Sequence, residues 1–235
     1  MRESYKGFTE RVSVFERREL DLGKSYFKGK PSLAYKINES NQLKSFFGDT
    51  VVFELTEEEK SRVGSMVNEI YEVCPECFAE KLKESTLHMT LHDLSNSPEY
   101  DDVLLKMEEN AEKIRNIVDN VGNVTIKMKA NFIFNMVNTS LVLGLVPLDE
   151  GEYEKLMRLY YLIDESVKKA DYPLTPHITL GYYNINGFNE EAKSRLEKLI
   201  YKLNDIRLEI ILDTQRLFYQ RFFSMNDYRN IIKLA

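Results

Sequence analysis

The sequence has no tryptophan, two cysteines and three histidines, and only 6 prolines and 10 glycines in 235 residues. So few cysteines exclude a disulfide framework, and so little Pro and Gly exclude a collagen-like or low-complexity chain. Cys74 and Cys77, in the step Cys74-Pro75-Glu76-Cys77, have no second pair with which to complete a zinc set. They follow a helical segment rather than a buried strand, so they read as half-buried thiols at a helix end broken by Pro75, not as a redox pair. No apolar run approaches the roughly 20 residues of a membrane span. The opening Met1-Arg2-Glu3-Ser4 is charged and lacks the apolar centre of a signal peptide, so the cytoplasm is the expected location. Positive charge is also lacking: 38 acidic residues face 32 basic ones, for a net −6. That balance argues against duplex DNA or long RNA as a partner and favours a small substrate gripped locally; a monomer is the expected state.

What the chain does have is a hydrophobic fraction of 43%, enough for a core in one large domain or two intimately packed lobes. Residues 1–45 are charged, with scattered aromatics and no clear period, and read as an extension that wraps the body; residues 46–235 read as a single domain. Val51 to Leu55 is a β-branched strand. Thr56 and Glu59 have the spacing of a capping box, opening a helix with Val63, Met66, Val67 and Ile70 on its buried stripe. Ser85 to Leu94 alternates as a strand, and a second helix starts after Ser97-Pro98-Glu99. Three strands follow over Val124–Lys129, Phe132–Met136 and Ser140–Val146, with Asn138-Thr139 at a hairpin turn. Lys127 and Lys129 share a strand face read as solvated. A helix over about Glu150–Lys169 leads into a strand within Pro173–Tyr183, then a helix over Glu190–Leu203 and closing strands over Ile206–Leu212, Gln215–Phe222 and Tyr228–Lys233.

Two of the three histidines open matching phrases, His88-Met89-Thr90-Leu91 and His177-Ile178-Thr179-Leu180. Each lies on a predicted strand that follows a strand and a helix, so the halves share an order. Side chains on a strand alternate faces, so His and Thr of each phrase point the same way. Two such pairs meeting across a cleft supply two imidazoles that titrate near neutral pH and two hydroxyls around one anion. Cleaving a phosphodiester needs a base for the attacking oxygen and an acid for the leaving oxygen, roles that two imidazoles divide. Thr90 and Thr179 are the candidate holders of the phosphate oxygens.

By period two, His92 falls on the face of His88 and Thr90, and Tyr183 on that of His177 and Thr179; both are candidate substrate contacts, with His92 alternatively a cap of the cleft rim beside Asp93 and Tyr183 alternatively a strand-end aromatic of the core. Gly181 between them is read as a point of close ligand approach. A competing reading gathers His88, His92, His177 and Asp93 around a zinc, which leaves the two threonines without a role. A third keeps the cleft as a nucleotide- or RNA-binding module without chemistry.

The paired phrases resemble the signature of the two-histidine (2H) phosphoesterase superfamily, carried here by His88, Thr90, Leu91, His177, Thr179 and Leu180. The stretch Phe46-Phe47-Gly48-Asp49-Thr50-Val51-Val52 to Leu94 is similar to one branch of it, with a Gly-Asn-Thr-Val strand, a helix and a His-Met-Thr strand. The resemblance spans roughly residues 45 to 220 in layout. It implies an α+β fold of two antiparallel-sheet lobes related by an approximate twofold, with outer helices and a central cleft. It also implies a phosphodiesterase that needs no metal or other cofactor, acting on 2′,3′-cyclic nucleotides, ADP-ribose cyclic phosphate, 2′-5′ linkages or RNA ends.

Overall fold

The computed structural model describes residues 2–16, 20–23 and 25–235. Its strands are β1 (Phe47–Glu54), β2 (His88–Ser97), β3 (Thr125–Met136), β4 (Ser140–Pro147), β5 (His177–Tyr182), β6 (Leu208–Asp213), β7 (Leu217–Ser224) and β8 (Asp227–Lys233). They pair antiparallel in one sheet ordered β6-β3-β4-β5-β2-β1-β7-β8. The order divides at the centre into two four-stranded halves that mirror each other: β5 matches β2, β4 matches β1, β3 matches β7 and β6 matches β8. In each half a strand (β1 or β4) runs through a helix into a motif strand, the arrangement expected from the sequence. The fold is α+β and two-lobed, with a curled sheet.

The helices are α1 (Tyr5–Val12), α2 (Glu57–Val73), α3 (Tyr100–Arg115), α4 (Glu150–Ser166) and α5 (Glu190–Leu203). Local chemistry sets their ends. Thr56 and Glu59 close the expected capping box on α2, and Asp149 and Asn189 cap α4 and α5 through side-chain oxygens. Pro75 begins a 3-10 turn just after α2, leaving Cys74 and Cys77 as buried free thiols. On α3, Asn110 donates to Asp49 and Ser95, and Tyr219 also donates to Asp49, so one buried carboxylate ties α3 to β1, β2 and β7. α4 reaches across to β2 and α2 to β5, each covering the other lobe's motif strand.

On β3 the alternation read from the sequence holds, with one merger. The expected strands Val124–Lys129 and Phe132–Met136 are a single β3 interrupted by a bulge between Ala130 and Phe132. Lys127 and Lys129 are exposed on it, between buried Ile126, Met128 and Ala130. The hairpin that follows turns through Val137 and Asn138, both at positive φ.

Residues ahead of β1 are built into the same core: Phe8, Val12, Leu20, Leu22, Phe27, Leu33 and Ile37 are all buried in it. α1 packs beside α4, where Phe8 meets Tyr153. Further on, Phe15 stacks on Phe134, Asn135 donates to the Asp21 carbonyl, and the Lys30 amide donates to Asn138. Among the described residues, no helix is long and apolar enough to cross a membrane.

Candidate active site

Among the described residues, Met89 of β2 and Ile178 of β5 form the one register pair that joins the two halves of the sheet. Both are fully buried. Because the strands run antiparallel, the flanking residues fall in opposite order: His88 comes beside Thr179, and Thr90 beside His177. All four side chains therefore stand on one face, two imidazoles on one diagonal and two hydroxyls on the other. Opposite positions on such a pair are about 5 Å apart and diagonal ones about 7–8 Å, the scale of one phosphate with its ligands. Each of the four is half-buried, while Met89, Leu91, Ile178 and Leu180 pack into the core behind them.

The two imidazoles are held identically. His88 Nδ1 lies 2.7 Å from the Thr86 carbonyl, and His177 Nδ1 lies 2.7 Å from the Thr175 carbonyl. A carbonyl only accepts, so in each neutral ring Nδ1 carries the proton and Nε2 keeps a free lone pair. Among the described residues no side chain hydrogen-bonds either Nε2 or the hydroxyls of Thr90 and Thr179. The repeat is thus longer than four residues. It reads Thr-x-His-x-Thr-Leu, from Thr86 to Leu91 and from Thr175 to Leu180. The anchoring threonines were visible in the sequence, but their part is played by the backbone carbonyl, which carries no side-chain signal.

Burial holds both rings neutral. It pushes His88 down to about 4, with the His177 ring adding to the effect and the Thr86 carbonyl and Asp93 opposing it. His177 is lowered for the same first reason, with Lys36 adding to the effect and the Thr175 carbonyl and Asp93 opposing it.

Beyond the motif threonines the period-two reading breaks, on both strands and at the same place. On β1, Val52 pairs with Thr90 but Val51 pairs with His92, so Leu91 is an extra bulged residue. On β4, Val142 pairs with Thr179 but Leu141 pairs with Gly181, so Leu180 is the extra residue there. A bulge inverts every following side chain.

His92 accordingly leaves the face of His88 and turns into the core. Its side chain is wholly buried; Nε2 is 3.3 Å from Asp164, and the ring stacks on Tyr160 of α4. The set His88, His92, His177 and Asp93 is therefore not brought together as metal ligands. Asp93 takes the cleft face instead, where Tyr172 donates to it at 2.6 Å.

Tyr183 is likewise turned away. It is fully buried among Phe27, Phe78 and Phe188, so it is a core residue and not a substrate contact. Gly181 faces α2, where an added Cβ would lie 2.8 Å from Tyr71 Oη; its smallness makes room for a helix, not a ligand. The residue that joins His177 and Thr179 on the cleft face is Tyr182, which pairs with Ser140.

The sheet's curl brings β8 round toward β2, so the Tyr228 ring stands edge-on to His88 at 4.9 Å. Tyr182 Oη donates to Met225 Sδ at 3.0 Å, and Tyr228 Oη lies 3.6 Å from the same sulfur. These two tyrosines stand beside the motif side chains, Tyr228 against His88 and Tyr182 on the strand of His177. Lys36, from the segment ahead of β1, lies over the ring of Tyr182.

No protein-family model and no curated protein matches the sequence. Among solved structures, a conserved protein of unknown function from Agrobacterium tumefaciens str. C58 is similar over 94% of this chain and 99% of that one, with a TM-score of 0.67 and 14% identity. E. coli LigT in its apo form is similar over 80% of this chain and 96% of its own, at 12% identity and a TM-score of 0.48. A protein described as a phosphoesterase is similar over 78% and 95%, at 11% identity and the same TM-score. At such identities only architecture is shared, and the chain has the two-lobed α+β fold of the Agrobacterium protein along nearly its whole length.

Proposed function

We propose that the chain is a phosphodiesterase that hydrolyses a cyclic phosphate or small phosphodiester on a nucleotide or RNA end, with His88 and His177 as general acid and base. The carrying observation is the matched pair of imidazoles, each fixed through Nδ1 with Nε2 free, on one face with two unspent hydroxyls. In the reaction, Nε2 of one ring takes a proton from water as its oxygen forms a bond to phosphorus. The P–O ester bond on the far side breaks, and the other ring, entering protonated, delivers its proton to the leaving oxygen. The electron pair of that bond stays with the leaving alcohol, and the two rings exchange protonation states with solvent to reset. Thr90 and Thr179 donate to the non-bridging oxygens, where negative charge concentrates as the transition state forms.

The bound anion also repairs the proton balance. Both rings are poised neutral in the free protein, and a phosphate between them favours protonation of one. Every step is carried by side chains and water, so the scheme calls for no metal.

The test is turnover of 2′,3′-cyclic nucleotides, ADP-ribose cyclic phosphate and short 2′-5′ and 3′-5′ oligonucleotides with a chelator present, with products resolved by chromatography and mass. Turnover that persists under chelation and collapses in both His88→Ala and His177→Ala supports the reading. Binding of the panel without turnover moves the assignment to a nucleotide-binding module, and activity only on restoring metal moves it to a metal-dependent hydrolase.

A further inference from the structure

The four motif side chains are related by the twofold of the sheet, so by themselves they do not distinguish one end of a substrate from the other. Lys36 breaks that symmetry. It follows the 3-10 turn Pro31–Tyr35, and its backbone is pinned on both sides, the amide donating to the Leu33 carbonyl and its own carbonyl accepting from Lys44. Its ammonium lies 5.1 Å over the ring of Tyr182 and 5.2 Å over that of Phe46, and 3.5 Å from Tyr182 Oη. Among the described residues it has no carboxylate partner, unlike Arg11, which pairs with Glu3, Arg195 with Glu76 and Arg221 with Glu108.

Tyr182 shares the cleft face with His177 and Thr179, and it stands beyond Thr179 on the strand. The ammonium is close enough for its charge to act on the His177 ring. A half-buried cation, stacked between two aromatic faces and lacking a counter-ion, is a site held ready for an anion. The reacting phosphate already has two imidazoles and two hydroxyls around it. Lys36 sits to one side of that set, at the Tyr182 end.

We propose that Lys36 is a specificity residue that binds a second phosphate group of the substrate, at the Tyr182 end of the cleft. The preferred substrate is then a phosphoester that carries a further phosphate, docked in one direction only. This rests on the phosphodiesterase reading for the chemistry but not for the binding, so the two are tested apart.

The experiment is calorimetric titration of the full chain with adenosine 3′,5′-bisphosphate and with adenosine 3′-monophosphate, at two salt concentrations. The bisphosphate is expected to bind the wild type roughly tenfold tighter, with the advantage shrinking at high salt. Lys36→Met should erase the advantage and leave the monophosphate affinity nearly unchanged; Lys36→Arg should keep most of it. Lys44→Met, an exposed lysine on the same segment, should change neither affinity. Equal affinity of the wild type for the two ligands, no binding of either, or an unchanged preference in Lys36→Met would overturn the proposal. Discrimination by Lys36 in a protein that turns over nothing in the hydrolysis panel would leave this inference standing and remove the phosphodiesterase reading.

Discussion

On β2 the residue just past the bulge is His92, buried against Tyr160 and Asp164; on β5 the residue in that place is Gly181, which makes room for Tyr71. One place further on, β2 has Asp93 and β5 has Tyr182. Up to the bulge the two strands hold their imidazoles by the same hydrogen bond; after it the residue types diverge. The repeat has kept the anchoring carbonyl, the imidazole, the hydroxyl and the bulge, which together set the geometry of the four motif side chains. Positions past it were free to serve the packing of each lobe. The bracing differs as well. Thr86 is held from within its own turn, its hydroxyl donating to the Lys83 carbonyl. Thr175 is held from outside, by Arg11 of α1, which donates to its hydroxyl and to the Leu174 carbonyl.

The hardest test of this likeness is loss of each imidazole in turn. His88→Ala and His177→Ala should each lower the rate by about 10²–10⁴. If the halves are functionally equivalent the two losses fall within tenfold of each other, and steady-state kinetics on any substrate that the panel identifies will show it. A smaller effect should separate the lobes. Arg11→Ala removes an outside brace that only the β5 half has, and is expected to lower kcat about tenfold with little change in KM. An equivalent loss from Thr86→Val would show that local and remote bracing matter equally.

The pH dependence sharpens the comparison further. Burial lowers both rings from the ordinary histidine value, His88 to about 4, so the free protein holds the required neutral-plus-charged pair on the acid side of neutrality. The profile of kcat/KM should be bell-shaped, with its maximum below about pH 6.5, and should fall as pH rises through neutrality. Stability should follow the same groups. The unfolded chain binds protons at these histidines near 6.5 and the folded chain only lower, so stability present above 6.5 is lost as pH falls toward 4. Denaturant melts of the wild type and His88→Asn across that window would show a shallower loss in the variant.

The smallest effects should come from the residues past the bulge. His92→Gln should destabilise by about 1–3 kcal/mol, through loss of the Asp164 contact and the Tyr160 stack, and leave turnover within twofold. Gly181→Ala should cost about 1–3 kcal/mol by overpacking against Tyr71 and Phe78. Thermal melts read both. A large loss of activity in His92→Gln with unchanged stability would return that residue to the site.

Most elements were legible because local chemistry marks them. The capping box at Thr56 and Glu59, the run Glu190–Leu203 and the alternation of β3 each follow from short-range pattern. The four motif residues were legible for the same reason, since alternation holds from His88 to Thr90 and from His177 to Thr179. The errors at His92 and Tyr183 share one cause. A bulge is set by pairing with a neighbouring strand, and Leu91 and Leu180 look like ordinary buried strand residues. Lys36 and Arg11 were out of reach because the partners that bring them to the motif strands, Tyr182 and Thr175, lie more than a hundred residues away, and the segment that carries them has no period to read.

The single pair Met89–Ile178 sets the mechanics of the whole sheet. Elsewhere neighbouring strands are laced by five to eight register pairs, and here by one. The halves are joined along the sheet at one point, and elsewhere by what crosses between them: α4 on β2, α2 on β5, His92 against Asp164 and the bridge from Phe78 to Tyr183. The four motif side chains flank the narrowest join of the sheet, so their spacing depends on the helices packed behind it as much as on the strands themselves.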